Sequence, residues 1–198
     1  MSTEALYAAL KSELSDTVWL DTALETVARQ PAAIGRLFPA AGRRCGRWML
    51  SGLDGWSVDD AARVLLLSKV GNHGAEIEAL YRYGDAAEKR AVVRALPLLD
   101  VPSVERILED ALRTNDTRLV AAALGPAARR LGQPAWRQGV LKAVFMGLPL
   151  AAVADLDARA DAELAVMLAG LAEERRAAGR AMAEDATALL HRLQERVP

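Results

Sequence analysis

Apolar residues recur at three- and four-residue intervals along almost the whole chain. Val104, Ile107, Leu108, Ala111 and Leu112 fall on one stripe, as do Leu164, Met167, Leu168 and Leu171. No segment alternates β-branched and polar residues as a strand does. The periodicity predicts helices near 3–14, 17–29, 31–38, 57–70, 75–83, 86–96, 103–113, 117–124, 135–146, 161–177 and 184–196. Their starts are marked by Ser57 with Asp60 and Asp85 with Glu88 at capping-box spacing, and by Pro31, Pro126 and Pro134 in first turns. Gly84, Gly125, Gly132 and Gly179 mark stops. The run Val64 to Leu67 is apolar around most of the helix, so that helix is expected at the centre of the core.

The fold class is therefore all-α. The pattern Glu78, Arg82, Asp85 returns as Glu109, Arg113, Asp116, each time with an Asp opening an alanine-rich helix. That echo suggests stacked helical hairpins, either a HEAT-like short α-solenoid or a compact helical domain. We expect one domain over 1–198, with an N-terminal helical layer at 1–50 and a hairpin stack at 57–198. The loop Ser51 to Trp56 is the expected break between them.

Composition narrows the functional classes. The formal net charge is -1, which gives no general electrostatic case for nucleic acid. The single cysteine, Cys45, excludes an internal disulfide framework. The start of the chain lacks the apolar core of a signal peptide. The longest apolar run, Ala143 to Ala154, is interrupted by Pro149 and is too short for a membrane span, so a cytoplasmic protein is expected.

Candidate chemistry is sparse. His73, in a turn, and His191, on a polar helix face, have no acidic or cysteine partner at ligand spacing. No cofactor or metal is implied, and no catalytic residue is assigned. Asp59 and Asp60 are adjacent in a first helical turn, where the macrodipole favours acids. Glu109 and Arg113 stand at the favourable four-residue spacing, and Asn115-Asp116 is turn and N-cap chemistry. Gln138 and Lys142 share a helix face, with Phe145 one turn further on. Trp136, Val140 and Val144 form another stripe, expected in the core.

Several motifs carry a family resemblance. They are Ser57 to Leu67, Leu112-Arg113-Thr114-Asn115, Trp136 to Phe145, Leu156 to Ala160, and Glu174 to Gly179 with Arg180. In this order they resemble the EboA family, with residues 1–50 carrying little of the likeness. Asp116 and Arg137 depart from the family pattern. The resemblance implies a cytoplasmic component of a gene cluster for specialised metabolism, a cluster that includes a membrane protein and moves a metabolite precursor. Expected partners are then other proteins of that cluster, including a membrane-bound one, or a small metabolite, with no nucleic acid.

Two functions remain open. One is a non-catalytic helical accessory protein that holds a partner on a grooved surface. The other is a small-molecule carrier or enzyme with an interhelical pocket, in which Arg113, Asn115, Gln138 and Lys142 supply the polar groups. A third site is suggested by charge alone. Between Glu25 and Asp54 there is no acidic residue, yet Arg29, Arg36, Arg43, Arg44 and Arg47 fall there, interleaved with Phe38, Trp48 and Met49. Either Arg43, Arg44 and Arg47 contact an anionic surface, or these arginines pair internally while Phe38 and Trp48 are core.

Overall fold

The computed structural model describes residues 2–71 and 74–196. Among them are twelve α-helices, four short 3-10 turns and no strand. They divide into two compact units, Met1–Ile107 and Leu108–Pro198.

Unit 1 is built around α4 (Val58–Ser68). Every residue from Val58 to Leu67 is buried, so this helix has no solvent face. It is wrapped by α1 (Thr3–Glu13), α2 (Val18–Arg29), α3 (Ile34–Arg44) and α6 (Ala86–Ala95), with α5 (Gly74–Tyr83) against α6. The apolar run Val64–Leu67 thus lies at the centre, as its all-round hydrophobicity requires. The α6 start carries the capping box: Asp85 accepts from the Glu88 amide, and Glu88 accepts from the Asp85 amide.

Three local expectations need correcting. The helix predicted over 31–38 begins as a 3-10 turn and then runs on through Pro39 to Arg44. Proline forfeits only the bond to the carbonyl four residues back, on the exposed Gly35, where water can replace it. Burial of Phe38 and Ala41 favours continuing the helix. At the start of α4, Ser57 makes no side-chain cap. Its hydroxyl donates instead to Asp59 at 2.7 Å. The four-residue helix at Leu156–Arg159 had no local signal in the sequence. The loop 45–57 joins α3 to α4 inside unit 1. It is closed by a bridge between Met49 and Ser57, with Leu50 N–H donating to Trp56 O and Val58 N–H to Trp48 O.

Helix α7 (Val104–Arg113) runs across the boundary between the units. Unit 2 continues with α8 (Thr117–Leu124), α9 (Gln133–Met146), the four-residue α10 (Leu156–Arg159), α11 (Ala162–Ala177) and α12 (Glu184–Glu195). Asp116 caps α8 by accepting from the Arg118 and Leu119 amides. Helix α9 packs on α8 and α11, burying Trp136, Val140 and Val144. The approach to α8 is close: a Cβ on Gly139 would stand 2.9 Å from a Leu124 methyl. Gly147, at φ 71°, ends α9 in the left-handed region. The Glu109–Arg113 pair expected on α7 is not the one formed. Arg113 bonds to Asp110 at 3.0 Å, one residue closer along the helix.

Candidate anion-contacting face

Helix α3 divides its residues sharply. Ile34, Leu37, Phe38 and Ala41 face inward, while Arg36, Arg43 and Arg44 are exposed. Arg36 and Arg43 are seven residues apart and so lie nearly in line along the helix. Arg47, also exposed, follows in the loop. Among the described residues, none of these four arginines has an ion pair or a side-chain hydrogen bond. Arg29 alone of the stretch is paired, with Glu25 at 2.7 Å. The α3 dipole accounts for part of the preference for Arg43 and Arg44 in its last turn. It does not account for Arg36 or Arg47.

The aromatic residues of this stretch separate. Phe38 is wholly buried under the Arg63 guanidinium, whereas Trp48 and Met49 are 50% and 55% exposed. The Trp48 ring lies flat over Gly46, which leaves no room for a Cβ there, and the backbone turns at φ 103°.

Behind this face lies a layer of buried charge that the sequence only half disclosed. Asp59, Asp60, Arg63 and Arg90 are all buried. Asp59 pairs with Arg63 one turn along α4 at 2.5 Å. Asp60 turns the other way, to Arg90 at 2.8 Å and Arg94 at 3.7 Å on α6. The adjacent carboxylates therefore diverge and cannot act on one atom. Arg94 also donates to Gly55 O at 2.6 Å and stacks on Trp56. Burial alone would raise the Asp59 carboxyl, but the Ser57 hydroxyl and the Arg63 guanidinium hold it below its ordinary value. The Asp59-to-Arg63 spacing was a visible signal, because such a pair inside an otherwise apolar helix has to be buried together. The reach from Asp60 to α6 had none.

Cys45 sits at the inner end of this loop, 5% exposed. Burial pushes its thiol up to about 11, which the nearby Arg63 only partly offsets, so the thiolate form is disfavoured.

The other candidates lie largely at the surface. Arg113, Asn115 and Gln138 are exposed and Lys142 is half-buried. None lines a described cavity. Gln138 lies on the solvent side of α9 while Trp136 fills the core. His191 is exposed, and His73 lies outside the described residues. No described helix is long and apolar enough to cross a membrane.

The sequence matches the family model described as metabolite traffic protein EboA over residues 38–191. The chain belongs to the EboA family. No curated protein and no solved structure matches it significantly. The EboA match begins at Phe38, further upstream than the motifs suggested, and so takes in Arg43, Arg44 and Arg47 as well as the buried charge layer. In unit 2, three arginines within the matched stretch make contacts inside the fold. Arg159 donates to Ala128 O at 2.7 Å, Leu131 O at 2.9 Å and the Gln133 carboxamide, and lies over the Trp136 ring. Arg137 grips Asp161 through a two-pronged contact. Arg175 donates to Phe145 O at 2.9 Å.

Proposed function

We propose that this EboA-family chain is a non-catalytic accessory protein of metabolite traffic that works by holding an anionic partner on the α3 face. The supporting observation is that Arg36, Arg43, Arg44 and Arg47 are exposed without a carboxylate, beside a half-exposed Trp48 and Met49. Guanidinium forks recognise carboxylates and phosphates, and an aromatic with a methionine supplies the apolar centre that such interfaces use. The partner we favour is another protein of the same cluster, the membrane-bound one included, presenting acidic groups at a cytoplasmic surface. Rim charges of this kind mainly govern encounter rate and salt dependence. The buried contacts behind them tie α3, α4 and α6 to one another.

The test is affinity capture from the native host with wild type and with the Arg43→Gln, Arg44→Gln, Arg47→Gln triple variant, at low and high salt. The expected result is a co-purifying cluster protein whose recovery falls with salt, and a folded variant that recovers little of it. Equal recovery by both proteins refutes the proposal. So does turnover of a pathway intermediate by the isolated protein.

A further inference from the structure

Arg63 is held on two of its three nitrogens. Its Nε donates to Phe38 O at 3.2 Å and its Nη1 to Asp59 at 2.5 Å. The third, Nη2, is buried and has no hydrogen-bond partner. Its nearest carboxylate oxygen, Glu88 Oε1, stands 4.0 Å away, while Glu88 Oε2 is engaged by the Asp85 amide. A buried charged donor without an acceptor is rare and costly.

The unused nitrogen shares the surroundings of Gly42 with a second guanidinium. Arg63 Nη2 lies 3.3 Å from the point where a Cβ on Gly42 would stand. Arg47 Nε and Nη2 lie 2.7 and 3.4 Å from that same point. Two cations therefore meet over the bare backbone of one glycine, and Arg47 has no anionic partner among the described residues. Asp59, Asp60 and Glu88 face Arg63, Arg90 and Arg94, and none of these carboxylates pairs with Arg47. Like charges this close repel, and an oxyanion between them reverses the sign.

We propose that Gly42, Arg47 and Arg63 form a seat for a phosphate group. Arg63 is the fixed half, set by Asp59 and the Phe38 carbonyl. Arg47 is the solvent-side half, since it is exposed and can turn to admit the ligand. A phosphate has enough oxygens and charge for both forks, whereas a carboxylate satisfies one. Gly42 provides the floor, because a Cβ there would press on both guanidinium groups. The seat rests on reading the α3 face as anion-contacting, and it narrows the chemistry to a phosphate ester, whether soluble or a lipid headgroup.

The probe is inorganic phosphate, titrated against chloride at constant ionic strength and followed by thermal melting. Wild type should melt higher as phosphate rises, since only the folded state has the seat. Gly42→Ala should still fold, because alanine suits a helix and the flexible Arg47 can move aside, with a small loss from the contact at Arg63. Its apparent phosphate affinity should fall at least tenfold, as should that of Arg47→Gln, while Arg36→Gln is unchanged. A wild type that does not distinguish phosphate from chloride overturns the seat, and so does equal response by all four proteins. Sedimentation with phosphatidate vesicles, lost in Gly42→Ala, would identify a lipid headgroup. Response to soluble phosphate without sedimentation would identify a soluble ester. The Arg43→Gln, Arg44→Gln double variant separates the two ideas. If it keeps both its phosphate response and its host partner, the seat stands and the wider α3 reading fails.

Discussion

In unit 2, Arg159 spends its donors on two backbone carbonyls and a carboxamide while its plane covers Trp136, and Arg137 locks onto Asp161. On α3 and the loop after it, four arginines of the same chain are exposed and touch no carboxylate among the described residues. The side chain is identical in both places. What differs is the local supply of acceptors. Asp155, Asp157 and Asp161 crowd the stretch beside Arg129, Arg137 and Arg192, whereas residues 26–53 contain no acid at all. An arginine with a built-in acceptor is part of the fold, and one without is available for a partner.

The comparison breaks most sharply at Arg63, the fastened arginine behind the α3 face. Arg63→Ala should destabilise by about 3–5 kcal/mol, because it strands Asp59 in the core. Chemical denaturation should show a loss comparable to Leu65→Ala, where a cavity in the enclosed α4 costs about 2–5 kcal/mol. A loss under about 1 kcal/mol at Arg63 would mean that the buried layer does not hold the unit together. Next, Arg159→Ala should cost about 1–3 kcal/mol by leaving the Leu131 carbonyl without its donor, while Ala128 O keeps the Leu131 amide.

Smaller effects sharpen the contrast. The Arg137 fork holds the Asp161 carboxyl down at about 2. A depressed carboxyl stabilises the fold above its unfolded value, near 3.9, and that contribution drains away as pH falls from about 4 towards 2. Asp161 is 36% exposed, so solvent screening should keep the effect below about 1 kcal/mol. Acid titration of melting temperature should therefore show a shallower low-pH decline in Arg137→Gln than in wild type. Smallest of all, replacing Arg43 or Arg44 singly by Gln should move stability by no more than about 0.5 kcal/mol. A large loss there would show that these side chains are fastened after all.

Helix positions were legible because their signals are local. The Asp85 and Asp116 caps, and the enclosed run Val64–Leu67, all stand where sequence spacing put them. The end of α3 was not legible, since Pro39 reads as a stop until the burial of Phe38 and Ala41 against α4 is known. Ser57 misled for a related reason: its cap spacing was right, but a buried Asp59 competes for the hydroxyl. The candidate site was half visible. A run of arginines without acids can be counted in the sequence, but whether acids reach it from elsewhere depends on tertiary neighbours. The pairing of Asp60 with Arg90, thirty residues away, has no local trace.

The burial of Cys45 has a practical consequence. At neutral pH a thiol pushed up to about 11 is ionised in only about one molecule in ten thousand. It is also 5% exposed, so a thiol-directed dye meets almost no native target. A cysteine introduced at an exposed α3 position such as Gly35, where nothing stands within 4 Å of a new Cβ, would label selectively without removing Cys45. The chain thus carries its own silent background for watching the arginine face by fluorescence as a partner arrives.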